Sequence, residues 1–249
     1  HVFNVLAPSL GLTYDMDEIP FSVKPDSLVD VRDVMRLFRD TYEGTDFDMC
    51  KNWKMEVPAK DTIPAHTVTS PLANPWLTTN MRNTLNTIAP GTIEFTRTLA
   101  VAWCSYSTVI QLRSWLPDGI GGVCWYSVDN PAQSPRIPIY CGGSGLPSAF
   151  EKCGQKVYDR DCVLWQFRRA NKLATLAWQN TKKGFNENVM EMEKILFDGQ
   201  AELEKKYKDA RKADKAGVLD AYTADFYKQC AERWNELEVK YWMMFGRGF

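Results

Sequence analysis

The chain has 249 residues, of which 45% are hydrophobic and 24% are charged, values typical of a soluble globular protein with one large or two small domains. Its formal net charge of −1 gives no electrostatic reason to expect a nucleic acid or an anionic membrane as a partner. No apolar run approaches the roughly 20 residues that a membrane-spanning helix needs. We therefore expect neither a nucleic acid nor a membrane partner, and the compartment stays open between cytoplasmic and exported.

The first residues carry a strand pattern. Residues 1–7 are rich in β-branched and aromatic side chains and run into a turn at Pro8 and Ser9. The pattern predicts a strand that is already in progress at His1. We therefore expect His1 to follow a cut inside a longer protein.

Residues 27–44 carry the pattern of an amphipathic helix. Ser27, with Asp30 three residues later, resembles a capping box, and Gly44 suits the position just beyond a helix end. The apolar residues that share one predicted face are Val31, Val34, Met35, Phe38 and Tyr42. The sequence therefore predicts a helix that starts near Ser27 and stops at Gly44.

A β-rich core is predicted after a proline-rich connection over residues 50–97. The connection contains Trp53 and Trp76, so we expect it to pack against the fold. The predicted strands cover residues 98–104, 107–112, 121–128 and 137–140. Their continuous apolar runs predict burial on both faces, and Pro138 places the last strand near an edge of the sheet.

The pattern turns helical from residue 161 onward. Helical apolar spacing covers residues 163–178, continues after Gly184 and resumes beyond the charged connector at residues 211–215. The last two stretches predict an antiparallel helical hairpin, which we interpret as a packing or oligomerisation element. We divide the chain into residues 1–183 and a hairpin over residues 184–249, and we expect a homo-oligomer.

Cysteine and histidine usage argues against a metal site. The seven cysteines form no CxxC pair, and His1 and His66 are the only histidines, so we expect no zinc and no other metal. Phosphate-loop and dinucleotide motifs are absent as well, so no cofactor is expected. Cys141, Cys153 and Cys162 lie in a loop-rich region, where one disulfide and three free thiols are the open alternatives.

Two polar features remain as candidates for function. Seven residues with charge, aromatic character, a hydroxyl or backbone freedom lie within ten positions: Arg39, Asp40, Tyr42, Glu43, Gly44, Thr45 and Asp48. Arg113 ends an otherwise apolar strand pattern, and an unpaired buried guanidinium costs several kcal/mol (roughly). One alternative is a salt bridge from Arg113 to Asp40, Glu43 or Asp118. The other is a guanidinium that lines a pocket and holds a substrate carboxylate or a catalytic group.

These features resemble a known family. The matching segments are Arg39-Asp-x-Tyr-Glu-Gly-Thr-x-x-Asp48, Ser105-Tyr-Ser-x-x-x-Gln-Leu-Arg-Ser-Trp-Leu-Pro117, Gly121-Gly-Val-x-Trp125 and Asp129-Asn-Pro131. Their order and spacing are similar to those of cysteine dipeptidases of the lactobacillal PepD type, over roughly residues 1–180. The resemblance implies an N-terminal nucleophile hydrolase with α+β structure, in which two sheets lie between helix layers in an αββα sandwich.

The resemblance also implies a mechanism. The nucleophile of such enzymes is a cysteine that becomes the first residue when a leader is removed, and its own α-amino group acts as the base. Thiolate attack on a dipeptide then gives an acyl-enzyme that water hydrolyses. The family implies a supporting catalytic role for Arg113, a substrate-binding role for Ser105 and Tyr106, and a signature role for the residues from Arg39 to Asp48, which we expect to brace the fold.

None of the cysteines in this sequence matches an N-terminal nucleophile. We therefore interpret the chain as the C-terminal part of a dipeptidase, with the nucleophile upstream and the upstream fragment and a dipeptide as partners. On that interpretation the chain alone has no peptidase activity. The alternatives are a non-catalytic binding or assembly protein on the same scaffold, and an acylase that acts on non-peptide amides.

Overall fold

The computed structural model of the chain describes residues 1–13 and 16–246. Its helices are α1 (Val2–Leu6), α2 (Val31–Phe38), α3 (Thr79–Ile88), α4 (Asp118–Gly121), α5 (Val163–Ala174), α6 (Trp178–Asp198), α7 (Gln200–Asp209) and α8 (Lys215–Phe245). Its strands are β1 (Lys54–Val57), β2 (His66–Thr69), β3 (Tyr106–Leu112), β4 (Gly122–Val128) and β5 (Ile137–Tyr140). Short 3₁₀ segments lie at Pro8–Leu10, Ser148–Glu151, Thr175–Ala177 and Lys212–Asp214.

Helix accounts for 47% of the chain and strand for 11%, so helices supply most of the packing surface. This mixture confirms the predicted α+β class, whereas the αββα sandwich stays a prediction. Among the residues that the structure describes, no helix is both long enough and apolar enough to cross a membrane.

The central sheet is antiparallel, with the strand order β3–β4–β5. Ser107 of β3 lies opposite Ser127 of β4, and Tyr126 of β4 lies opposite Ile137 of β5. Side chains alternate between the two faces of a strand. The face that carries Trp125 is therefore also the face that carries Ser107 and Ser127, and all three are buried.

Three of the four strands predicted for the β-rich core are confirmed, namely those over residues 107–112, 121–128 and 137–140. Pro138 lies on the edge strand β5, as predicted, because an edge position does not need the N–H that proline lacks. The prediction of burial on both faces is wrong for β3. Its Ile110 and Leu112 are 71% and 77% exposed, because the described residues do not cover the outer face of that strand.

The predicted strands at residues 1–7 and 98–104 are wrong. The first stretch instead forms helix α1, because a short apolar run can fit the period of a strand or that of a helix. The second is irregular, and side chains satisfy part of its backbone. Trp76 donates from Nε1 to the carbonyl of Ala100 at 2.6 Å, and the hydroxyl of Thr98 donates to the same oxygen at 2.7 Å.

Helix α2 differs from its prediction at both ends. Asp30, rather than Ser27, is its N-cap: its side chain accepts from the backbone N–H of Arg32 and Asp33, and Asp33 completes the capping box. The helix ends at Phe38, so Gly44 does not terminate it. Gly44 has φ +79° and serves a later turn, where its missing Cβ permits the left-handed backbone.

Residues 50–97 are more regular than their prolines predict. They contain the β1–β2 hairpin and helix α3. Trp53 packs on a small cluster around Met49 and Ile93, and Trp76 contacts Trp178 with ring centroids 5.1 Å apart. The prediction that this segment packs against the fold is confirmed.

The C-terminal helices pack with the sheet in one core. Helices α7 and α8, joined by residues 210–214, contact each other, and Gly199 separates α6 from α7. Phe185 of α6 packs against Trp234 of α8 with ring centroids 5.9 Å apart, and both belong to the same buried cluster as Trp125. The helical hairpin is therefore continuous with the sheet core, and the division at residue 183 stays a prediction.

Candidate functional site

The signature segment forms a polar loop between α2 and α6. Arg39 donates to both carboxylate oxygens of Glu193, with 2.9 Å from Nη1 to Oε2. The two side chains are 14% and 9% exposed, so the pair is largely removed from water. A planar guanidinium and a carboxylate in this two-point geometry hold each other in a defined orientation.

Glu43 attaches the same loop to the first turns of α6. Its carboxylate accepts from Trp178 Nε1 at 2.9 Å, from Gln179 Nε2 at 3.1 Å and from Lys182 Nζ at 3.2 Å. Indole, amide and ammonium donors therefore surround one acidic group. The hydroxyl of Thr41 also donates to this carboxylate, at 3.2 Å. Because only one of these four donors is charged, the carboxylate is positioned mainly by hydrogen bonds and only partly by opposite charge.

Asp40 and Asp48 shape the loop itself. Asp40 accepts from the backbone N–H of Tyr42 at 2.8 Å and contacts the imidazole of His1 through Nε2. Tyr42 has φ +59°, a left-handed conformation that non-glycine residues seldom adopt. Asp48 accepts from the backbone N–H of Gly44 at 3.1 Å.

Thr45 completes the turn, since its hydroxyl donates to the carbonyl of Tyr42 at 2.7 Å. The structure thus brings the seven signature residues together in one loop, where they bind one another, His1 and helix α6. A role in bracing the fold is consistent with these contacts and stays a proposal.

Arg113 lies apart from this loop. It is 7% exposed and forms a salt bridge with Glu204 of α7, with 2.9 Å between Nη1 and Oε1. It also donates to Gln200 at 3.1 Å and to the carbonyl of Ile120 at 2.5 Å. The alternative of a salt bridge to an acid is therefore confirmed. The acid is not Asp40, Glu43 or Asp118, because the partner comes from a helix 91 positions further along the chain.

The donors of Arg113 are occupied by protein acceptors that connect β3 to α7. Such an arginine has little capacity left for a substrate or a nucleophile. Its catalytic role remains only the proposal that the family resemblance implies.

Ser105 and Tyr106 also lie apart from the signature loop. Ser105 accepts at its hydroxyl from Gln155 Nε2 at 2.6 Å. Tyr106 stacks on Tyr126 with ring centroids 5.8 Å apart, on the face of the sheet opposite to Ser107. The structure does not bring these two residues together with the loop, and their substrate-binding role stays a prediction.

Arg136 is a candidate site residue that the sequence pattern did not single out. It is 1% exposed, and the one hydrogen bond of its guanidinium runs from Nη1 to the carbonyl of Trp125 at 3.3 Å. Nε and Nη2 have no partner among the residues that the structure describes. The guanidinium also lies 5.2 Å from the ring centre of Phe38, at the end of α2.

The positive charge of Arg136 is therefore buried, and none of the described carboxylates pairs with it. Burial lowers the pKa of Arg136 to about 10, so the group is still charged at neutral pH. Burial, together with the charge of Arg136, also lowers the pKa of Arg39 to about 9. The charge of Arg136 thus acts on Arg39, and Glu193 pairs with Arg39.

Two serine hydroxyls lie near Arg136 on the same face of the sheet. Ser107 and Ser127 form a cross-strand pair, and each has a buried Oγ without a partner among the described residues. Because Tyr126 lies opposite Ile137, the next position places Arg136 beside Ser127. Buried polar atoms are usually hydrogen-bonded. The four unpartnered atoms, Nε and Nη2 of Arg136 and Oγ of Ser107 and Ser127, therefore indicate a place where a further polar group binds.

A cavity of about 560 Å³ opens between α2 and α6, next to the Arg39–Glu193 pair. Its lining residues are Arg32, Asp33, Arg36, Arg39, Thr41, Glu43, Ala132, Trp178, Asn186, Val189, Met190, Glu193, Lys194, Phe197 and Asp198. The volume is in the range of small-molecule sites. Ala132 follows the Asp129-Asn130-Pro131 segment, so two of the motifs that the sequence singles out reach this cavity.

A sequence model of peptidase family C69 matches residues 1–191. The chain belongs to peptidase family C69. The matched range includes the signature loop, the sheet and the first part of α6. Family membership supports a peptide hydrolase and confirms the resemblance to cysteine dipeptidases at the level of the family. No curated protein matches the chain.

The cysteines of this C69 chain are all free thiols. The alternative of a disulfide among Cys141, Cys153 and Cys162 is therefore not the one that the structure shows. Burial raises the pKa of the Cys50 thiol to about 12 and raises that of Cys230 well above its ordinary value. A nucleophilic cysteine needs the opposite shift, since the thiolate is the reactive form.

Two further thiols of the C69 chain lie in the sheet region. Burial raises the pKa of Cys104 and of Cys124, and the charge of Arg136 opposes this rise in both. Arg136 therefore acts on nearby thiols in the direction that favours the thiolate. The sequence offered only a weak signal for Arg136. This residue follows Ser134 and Pro135 and directly precedes a buried strand, where an arginine requires a partner.

Proposed function

We propose that this chain forms part of a cysteine dipeptidase whose nucleophile lies on a polypeptide segment upstream of it. The proposal follows the C69 family membership. The observation that carries it is the buried and uncompensated guanidinium of Arg136 beside two unpartnered serine hydroxyls. A buried charge of this kind is costly unless an opposite charge arrives, and a thiolate or a developing oxyanion supplies one.

The chemistry needs two steps. The thiolate attacks the peptide carbonyl, an S–C bond forms, and the C–N bond breaks as the leaving amine takes up a proton. Water then attacks the thioester and releases the acid and the thiol. A guanidinium close to the sulfur would lower the pKa of the thiol and stabilise the oxyanion that develops in both steps.

Two buried thiols of this chain are unsuited to act as the nucleophile. Cys50 and Cys230 are buried with raised pKa values, so neither is activated. In this proposal the upstream segment supplies the cysteine and its α-amino base. This chain then provides the guanidinium, the cavity and the loop that connects them.

The test compares the 249-residue chain with the protein expressed together with its preceding coding sequence. Hydrolysis of a dipeptide such as leucyl-leucine is followed by release of free leucine. We expect turnover only with the upstream segment, and loss of turnover after alkylation with iodoacetamide. Turnover by the 249-residue chain alone would contradict the proposal.

A pair of variants separates the two candidate arginines in the active protein. Arg136→Met should lower kcat by about 10²–10³, the usual effect of removing one group that stabilises an oxyanion. Arg113→Met should lower the free energy of unfolding, because it leaves Glu204 unpaired, while kcat of the folded fraction stays near the parent value. A large loss of kcat in Arg113→Met, with kcat of Arg136→Met near the parent value, would instead assign the catalytic role to Arg113.

A further inference from the structure

The cavity between α2 and α6 contains both signs of charge, and nearly all of these charges are paired. Among its described lining residues, the four carboxylates each have a cation: Asp33 with Arg36, Glu43 with Lys182, Glu193 with Arg39, and Asp198 with Lys194. The lining cations are Arg32, Arg36, Arg39 and Lys194. Arg32 is the one lining cation for which the described residues supply no carboxylate within ion-pair distance.

Arg32 is an exposed residue whose guanidinium lies over an aromatic ring. Its guanidinium carbon lies 4.4 Å from the ring centre of Phe197, a residue of α6 on the opposite wall of the cavity. Stacking on an aromatic face orients the plane of a guanidinium and leaves its N–H groups free at the edge. These N–H groups form a fork that matches the two oxygens of a carboxylate.

The remaining lining is suited to an apolar group. Phe197, Val189 and Met190 lie along one side of α6 in the cavity, and Met190 is largely exposed there. A ligand that fits this arrangement has one negative charge without a protein partner and an apolar portion of side-chain size. A short peptide with a free α-carboxylate and an apolar C-terminal residue has both features.

We infer that Arg32, stacked on Phe197, binds the α-carboxylate of a short peptide in this cavity, with the C-terminal side chain against Val189 and Met190. The choice of a peptide as the ligand rests on the proposed function. The carboxylate requirement rests on the charge pairing of the cavity. The arrangement would select peptides with a free C-terminus close to the scissile bond over longer chains, because a continuing chain carries no negative charge at that position.

The test measures binding to the 249-residue chain directly and needs no catalysis. The probes are leucyl-leucine and its C-terminal amide, which differ only in the charged group, titrated by isothermal titration calorimetry. We expect the acid to bind at least about tenfold more tightly than the amide. Arg32→Gln should remove this preference, and Arg32→Lys should restore part of it.

Arg36→Gln is the matched control, because Arg36 lies one turn away on the same cavity wall but is already paired with Asp33. It should keep the preference for the acid. Equal binding of acid and amide to the parent chain, no measurable binding of either, or an unchanged preference in Arg32→Gln would each overturn the inference. Circular dichroism and thermal unfolding confirm that the variants are folded.

The two proposals can fail separately. Arg32-dependent binding of the acid without hydrolysis by the longer protein would remove the dipeptidase function and keep the binding site. Hydrolysis that is equally fast for leucyl-leucine and its amide, and is unaffected by Arg32→Gln, would keep the function and remove the carboxylate site.

Discussion

Arg39 and Glu193 form a two-point ion pair that joins the signature loop to helix α6 across 154 positions of sequence. Both side chains are largely buried, and Arg136 lies close enough for its charge to contribute to the lowered pKa of Arg39. The same pair lies next to the cavity where we place the ligand. Local stability and the electrostatics of the candidate site therefore depend on the same contact.

Removing the carboxylate of Glu193 should lower the free energy of unfolding. Glu193→Gln leaves the buried guanidinium of Arg39 without its anion, so we expect the free energy of unfolding to fall by about 3–5 kcal/mol. Urea denaturation followed by circular dichroism measures this change. The control is Lys194→Gln, which breaks an exposed pair with Asp198 and should cost less than about 1 kcal/mol. Equal losses in the two variants would contradict the prediction.

The buried guanidinium of Arg136 should lower the free energy of unfolding of the chain. Its Nε and Nη2 have no partner among the described residues, so Arg136→Met should raise the free energy of unfolding of the 249-residue chain by about 1–4 kcal/mol, as replacing buried charge by apolar side chains often does. Chemical denaturation measures the change. A clear loss of stability would show that Arg136 is a structural residue and would weaken its proposed catalytic role.

Alkaline pH should destabilise the chain through Cys50. Burial, followed by the charge of Asp48, raises the pKa of the Cys50 thiol to about 12 in the folded state, whereas an exposed thiol ionises near pH 8.5. Above about pH 9 the unfolded state therefore binds fewer protons than the folded state, so the free energy of unfolding falls as pH rises. The contribution reaches at most about 1.4 kcal/mol per pH unit and continues up to the folded-state pKa.

Comparison of two alanine variants isolates this effect. Cys50→Ala should show a smaller decline in unfolding free energy between pH 9 and pH 10.5 than the parent chain, whereas the exposed Cys141→Ala should follow the parent. Urea denaturation at each pH provides the data. Identical slopes for the parent and for Cys50→Ala would show that the thiol does not contribute.

The amino-acid sequence by itself determined the elements whose period was long or whose ends had clear turn signals. The strands at 107–112, 121–128 and 137–140 and the long C-terminal helices follow from apolar spacing alone. The α+β class was implied by the family resemblance, and the structure agrees with it. The ordered motifs of the signature segment also predicted the cysteine-dipeptidase resemblance, which the family match confirms at the level of the family. These features depend on neighbours in sequence, where side-chain period and backbone propensity act directly.

Short segments were decided by their surroundings. The run at residues 1–7 fits a strand as well as a helix, and the capping carboxylates of Asp30 and Asp33 placed the start of α2 later than Ser27 predicts. In residues 98–104 a distant indole, Trp76, binds a backbone carbonyl that a strand neighbour would otherwise have bound. Such competition between local and tertiary partners is not visible in a sequence pattern.

The partners of the arginines depended entirely on the tertiary structure. Arg113 and Arg136 both lie beside strands and read alike in sequence, yet Glu204 pairs with the first, and no described carboxylate pairs with the second. The difference arises because helix α7 packs near the end of β3, whereas Arg136 faces Phe38, Ser127 and a second arginine. Long-range packing thus decided which guanidinium has a carboxylate partner among the described residues and which one has none.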